Sequence, residues 1–299
     1  MRILHLFNWR LKDIVNRLDT IKMQGFDAIQ INPLQPLKNE FSNEWWQSYQ
    51  PCDFKIGNHF GTEEDLFLLC NSANEYEIKV IADVICNHTA GKDDGTLEPH
   101  EFVSALLKDN PYFWKEKRNI YNWEDRKEVI NYCLGLPGLR TDNYDLQDII
   151  IKFLNRYIEL GISGFRFDAA KNISLPHEGN DFWPRVLNSL SRNDLYIYGE
   201  VIFASKSLID EYNMYINVIT NSEGNNKEKV IKYIENHDAY LEFEYSKWIS
   251  SNEISNYYIN LCEEYNNTLY YARPFDDEWK SDKVAEANGV KNKVYRKCV

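Results

Sequence analysis

The feature that most constrains this chain is an alternation. Short apolar runs of strand length recur at 3–9, 28–33, 79–85, 164–170, 196–202, 216–220, 230–235 and 269–273. Segments with helical spacing of apolar residues lie between most of them, at 11–24, 62–76, 146–160, 181–191, 205–212 and 246–265. Strands separated by helices pair in parallel, because a parallel neighbour is reached only through a crossover connection. Eight such units close a (β/α)8 barrel of the TIM type, and that α/β fold is the expectation here. The competing arrangement is an open doubly wound sheet, which commonly carries a glycine-rich phosphate loop after its first strand. No such loop follows residues 3–9. Thr62, with Glu63, Glu64 and Asp65 behind it, marks a helix start.

Two connections depart from the repeat. About fifty residues rich in Asn, Asp, Trp and Tyr separate the third strand from the next helix. A loop of that length is usually functional or a small subdomain. We therefore expect a barrel made of residues 1–88 and 144–299, with 89–143 inserted after strand three. Between the sixth and seventh strands only residues 221–229 remain, too few for a full crossover helix. Either the sixth helix is reduced or these two strands are misassigned.

Composition narrows the class. A chain of 299 residues, 43% hydrophobic and 14% aromatic, can bury a large core and still line a cleft with rings. A formal net charge of -12 without a dominant basic run argues against nucleic acid or an anionic membrane as partner. Six cysteines lie without a CxxC, several inside apolar runs, and read as reduced core thiols of a cytoplasmic protein. The N-terminus agrees, since Met1-Arg2-Ile3-Leu4-His5-Leu6-Phe7 runs straight into a strand and lacks a signal-peptide pattern. The protein would be secreted only if a leader had been removed. No stretch approaches the ~20 apolar residues of a membrane span.

The chemistry concentrates at strand ends. In Gly164-Phe165-Arg166-Phe167-Asp168-Ala169-Ala170-Lys171, Arg166 and Asp168 alternate with two Phe and so share one face, which should be interior. Such a pair is either a structural ion pair or a carboxylate kept ionised for nucleophilic work. The fifth strand ends in Gly199-Glu200 and the seventh in Glu235-Asn236-His237-Asp238. Polar residues ending the strands of one barrel converge on one rim. Retaining hydrolysis of a glycosidic bond needs two carboxyl groups about 5–5.5 Å apart. Asp168 and Glu200, on strands about 4.8 Å apart, suit that spacing. Glu200, in apolar company, is the better placed to hold a proton.

Four stretches, in order, carry a resemblance: Asp83-Val84-Ile85-Cys86-Asn87-His88, Gly164 to Lys171, Gly199-Glu200-Val201 and Glu235-Asn236-His237-Asp238. With Tyr49-Gln50-Pro51 and Phe60-Gly61-Thr62, they resemble the conserved regions of the α-amylase family of glycoside hydrolases over about residues 1–275. Tyr270-Tyr271-Ala272-Arg273-Pro274 is most similar to bacterial secreted members. The resemblance implies Asp168 as nucleophile, Glu200 as general acid/base and Asp238 as transition-state stabiliser. It also implies Arg166 orienting Asp168, His88 and His237 bonding the glucose at the cleavage point, and Tyr49 stacking on that glucose. Lys171 would reach a sugar on the leaving-group side, and Asp83 would be a supporting carboxylate. Trp45, Trp46, Trp114 and Trp123 are sugar platforms or packing anchors.

The implied activity is cleavage of α-1,4-glucosidic bonds in starch or maltooligosaccharides, with an α-glucan as partner and no required cofactor. Alternatives are an exo-acting α-glucosidase, a glucanotransferase, or a non-catalytic glycan-binding scaffold on a reduced barrel. Departures from the pattern accompany the match. Asn172 replaces the family's usual His after Lys171, and no residues are expected to form a C-terminal β-sandwich. Many members hold a structural calcium between the third loop and the barrel. Asn87 matches one ligand of it, but Gly138 stands where a ligand Asp is common, with Asp142 as the nearest substitute.

Overall fold

The computed structural model describes residues 1–40, 44–242, 246–274 and 276–290. Each expected run forms a strand: β1 (Arg2–His5), β2 (Ala28–Ile31), β3 (Lys79–Val84), β4 (Gly164–Phe167), β5 (Tyr196–Glu200), β6 (Asn217–Ile219), β7 (Val230–Tyr233) and β8 (Thr268–Tyr271). They pair in parallel in sequence order, and β8 pairs back with β1. The chain is a closed (β/α)8 barrel. Most strands stop short of the C-terminal end of their apolar run, because those last residues leave the ladder to become the rim.

The helices are α1 (Leu11–Val15), α2 (Leu18–Met23), α3 (Glu63–Glu75), α4 (Ala105–Lys108), α5 (Arg126–Asn131), α6 (Tyr144–Glu159), α7 (Phe182–Asn188), α8 (Lys206–Tyr212), α9 (Ser251–Glu264) and α10 (Asp282–Ala287). The single helix expected over 11–24 is two, parted at Asn16 and Arg17. Its apolar stripe survives the break, with Leu11, Ile14, Leu18 and Ile21 all buried. The signal at Thr62 is a capping box: the Thr62 hydroxyl accepts the Asp65 N–H at 3.2 Å, and the Asp65 carboxylate accepts the Thr62 N–H at 3.1 Å.

The β6–β7 connection holds only a 3-10 turn at Lys227–Lys229, so no α-helix occupies the sixth position. Side chains and carbonyls of the preceding helix hold this loop instead. Asp210 of α8 accepts the Asn225 N–H at 2.9 Å, and the Lys229 ammonium donates to the Asn213 carbonyl at 2.6 Å. Residues 89–143 leave β3, form α4 and α5, and return beside the barrel through a bridge of Gly138 to His88. Their Val103, Leu107, Phe113 and Leu139 are buried in the same core that packs between strands and helices.

Alternation along the strands builds two interiors. Phe165 and Phe167 point outward, against Tyr157, Phe182 and Trp183 of the helical layer. Inside the barrel, Ile3, Ala28, Ile81, Tyr198, Ile219, Ile231 and Leu269 form an apolar plug. Above it the inward positions turn polar, with His5, Gln30, Asp83 and Arg166 all buried. Cys52, Cys70, Cys86 and Cys133 are buried free thiols and Cys262 a half-buried one, while Cys298 lies outside the described residues. No described helix is long and apolar enough to cross a membrane.

Gly164 opens β4 where a β-carbon would lie 2.1 Å from the Tyr196 carbonyl oxygen of β5. Backbone on both sides fixes that distance, so the strand pair cannot accept a side chain there. Gly164→Ala is expected to destabilise the protein by at least about 1–3 kcal/mol, read as a lower urea midpoint at unchanged m.

Candidate active site

Strand register assembles the site. Asp83 of β3 lies beside Arg166 of β4, which lies beside Tyr198 of β5. Two residues further along β4 and β5, on the same inward face, come Asp168 and Glu200. Arg166 is 3% exposed. Its Nη1 donates to both Asp83 oxygens, at 2.9 and 2.8 Å, and to Asp168 Oδ1 at 2.8 Å. Its Nη2 donates to Glu200 Oε1 at 2.5 Å. The second Glu200 oxygen accepts the Ala169 N–H at 3.2 Å. Ala169 has a φ of 47°, a left-handed conformation that costs a residue with a β-carbon about 1–3 kcal/mol.

Beneath this group lies a relay. The Tyr198 hydroxyl donates to Gln30 Oε1 at 2.7 Å, Gln30 Nε2 donates to Asp83 at 3.4 Å, and the Tyr49 hydroxyl donates to Asp83 at 2.9 Å. Asp83 therefore receives donors on both oxygens. On the β7 side, Asp238 opens a π-helical turn, Asp238–Glu242, and accepts the Asn236 amide at 3.2 Å.

Burial raises the Asp83, Asp168, Glu200 and Asp238 carboxyls above their ordinary values, with Arg166 opposing in every case. Asp238 adds to the rise at Asp168, and both Asp168 and Asp238 add to it at Glu200. The sequence pointed to an Asp168 held ionised by its own arginine. In the fold that arginine is divided among three carboxylates, so its hold on each is weaker.

Burial disfavours the charged form of both site histidines. Burial lowers His88 to about 4 and His237 to about 3. His88 Nε2 lies 2.9 Å from the Tyr49 carbonyl, so it carries the hydrogen and leaves Nδ1 as an acceptor without a protein partner. His237 Nε2 lies 3.3 Å from Asp238, and its Nδ1 also lacks a protein partner. The Tyr49 ring stacks on His237 at 4.9 Å and 6°. Phe7 stacks on the same histidine at 4.8 Å, and Trp45 meets it edge-on at 5.5 Å.

Lys171 extends along the rim and donates to the carbonyls of Ile202, at 3.3 Å, and Phe203, at 3.0 Å. It borders an open cavity of about 520 Å³ with Trp123, Arg126, Phe203 and Glu211. Of the four tryptophans, Trp45 and Trp123 adjoin site residues, with Trp123 half exposed 6.0 Å from the Lys171 ammonium. Trp46 donates to Glu44, and Trp114 packs on the main core. Asn172 turns its amide away from the rim to the Val129 carbonyl at 3.1 Å. Asn87 is buried, and its amide oxygen accepts from the Lys115 ammonium at 3.1 Å. Asp142 pairs with Arg140 at 2.7 Å on the surface.

Sequence reasoning missed His5, Gln30, Tyr198 and Lys115. The first three occupy inward positions of β1, β2 and β5, and a polar residue at such a position of an apolar strand was the available signal. His5 lies edge-on to His237 at 5.5 Å.

The chain has relatives in sequence and in fold. Residues 10–271 match the family described as the alpha amylase catalytic domain. The α-amylase of Clostridium acetobutylicum is 31% identical over a region covering 97% of this chain and 43% of that protein. The chain belongs to the α-amylase catalytic-domain family. It spans less than half the length of the curated relatives it matches. In fold it is similar to the α-amylase of Geobacillus thermoleovorans solved with acarbose, with a TM-score of 0.74 at 17% identity, covering 96% of this chain and 77% of that one. It is also similar to a mutant α-amylase I of Eisenia fetida solved with maltohexaose, with a TM-score of 0.75 at 19% identity, covering 93% and 69%.

Arg166→Met would leave its carboxylates buried without their cation, a change expected to cost about 3–5 kcal/mol. Without the guanidinium the native carboxyls hold protons that the unfolded chain releases, so the deficit should grow as pH rises through the carboxylate range. Urea unfolding of both proteins at several pH values measures this.

Proposed function

We propose that this chain is a retaining glycoside hydrolase that cleaves α-1,4-glucosidic bonds of starch and maltooligosaccharides. Its catalytic barrel would comprise residues 1–88 and 144–299, with 89–143 as the inserted segment. The observation that carries the reading is that Asp168 and Glu200 bind the two terminal nitrogens of one guanidinium. Carboxyls sharing one planar group sit close together, which favours the spacing of retaining enzymes over the about 6.5–9.5 Å of inverting ones. Family membership and the α-amylases among its relatives supply the substrate class.

In this mechanism Asp168 attacks the anomeric carbon while the bond to the leaving sugar breaks and its oxygen takes the Glu200 proton. Glu200, now a carboxylate, removes a proton from water, which attacks the glycosyl ester and frees Asp168. Arg166 holds both groups in register and stabilises the charge on whichever is ionised. Asp238 faces the positive charge that develops on the sugar ring. The unpartnered nitrogens of His88 and His237 suit hydroxyl groups of the sugar at the cleavage point. Tyr49 lends that sugar an aromatic wall, and Lys171 serves the leaving side. Asp83 fixes the arginine from below.

Glu200→Gln is expected to lower kcat on maltoheptaose by about 10²–10⁴-fold. Asp168→Asn should cost at least as much, and full activity in that variant would sink the proposal. Products of mixed length from soluble starch would mark internal cleavage, and glucose alone an exo-acting enzyme. Because burial raises Glu200, its proton should persist beyond the ordinary carboxylate range, and the alkaline limb of kcat/KM should lie above pH 4.5.

A further inference from the structure

The family resemblance places a calcium ion where the inserted segment meets the barrel, so the residues there can be tested for fit. Calcium requires six to eight oxygen ligands. The expected ligand Asn87 already gives its amide oxygen to the Lys115 ammonium, at 3.1 Å. The same ammonium donates to the Asn172 carbonyl at 3.2 Å. Asp142, the nearest substitute for a missing carboxylate, is engaged with Arg140. No group of three or more His, Cys, Asp or Glu among the described residues could hold a metal ion. These residues do not fit the metal.

Position 138 shows the same replacement from the other side. A β-carbon on Gly138 would lie 2.9 Å from Lys115 Cδ and 3.2 Å from Cys133 Sγ. The lysine stem thus fills the space that an acidic side chain would need. The Lys115 backbone N–H donates to the Gly138 carbonyl at 2.9 Å, which fixes the two positions against each other. Lys115 is 9% exposed and touches three segments at once: the end of β3 through Asn87, the loop after β4 through Asn172, and its own segment through Gly138.

We propose that the Lys115 ammonium is a built-in cation standing in for the structural calcium, fastening residues 89–143 to the ends of β3 and β4 without metal. Lys115 and Gly138 form one matched pair, since a glycine at 138 is what admits the lysine. The inference rests on family membership and on the packing around Asn87, and it is independent of the glucan activity proposed above.

Thermal unfolding of the whole chain tests it without any substrate. The wild-type Tm should be the same in excess EDTA and in millimolar CaCl2, whereas a Tm that falls in EDTA or climbs saturably with calcium overturns the proposal. Lys115→Met keeps the length of the stem and removes the charge. It should lower Tm by about 5 °C or more in both media, and an unchanged Tm overturns the docking role. The double variant Lys115→Ala with Gly138→Asp removes the stem and restores a carboxylate. Its Tm should rise with added calcium while that of Lys115→Ala alone does not, and a double variant indifferent to calcium overturns the assignment of the place.

Discussion

A single guanidinium inside the barrel is the constraint on which the rest of the site depends. Arg166 lies where water is excluded, and its bonds go to Asp83, Asp168 and Glu200. Buried charges persist only when paired, so the arginine and its carboxylates are mutually necessary. The register of β3, β4 and β5 brings them together, and the apolar plug below keeps them at the upper end of the barrel. Fold and site are therefore one structure. A slip of one residue in β4 would turn Arg166 into the helical layer and two phenylalanines into the site.

The sharing also gives the site its electrostatic character. One positive charge set among four acidic groups leaves them competing for it, and burial tips all four toward holding protons. Asp83 accepts donors on both oxygens, from Arg166, Gln30 and Tyr49, yet its complete burial still pushes its carboxyl up to about 7. Glu200 has one oxygen on the arginine and the other on a backbone N–H presented by the left-handed Ala169. Asp168, bonded among the described residues through Oδ1 alone, thus differs in its partners from Glu200 although they share a cation, and unlike surroundings of this kind would separate the proposed acid from the proposed nucleophile.

Much of this was legible in the chain. Period-two alternation in Phe165-Arg166-Phe167-Asp168 correctly placed both charges inside, and the shortage of residues between β6 and β7 correctly signalled a missing helix. What could not be read was whatever depended on distant partners. The break at Asn16 and Arg17 interrupts a helical pattern whose apolar stripe continues unchanged. The Arg166–Glu200 pair joins neighbouring strands, and nothing local to either residue announces it. Lys115 is the clearest case, because its role arises only when Asn87, Gly138 and Asn172 come together. In sequence it is one lysine among the 34 basic residues of an acidic chain.

That lysine differs in kind from a bound ion. A metal site obeys mass action, so the stability it confers varies with the free ion concentration around the protein. A lysine side chain arrives with the chain in one copy, and its charge answers to protons alone, burial lowering the Lys115 ammonium to about 8. It cannot be stripped by a chelator or diluted away, nor exchanged for a competing ion. The join between the inserted segment and the rim is then set by folding alone, whatever the ionic composition outside.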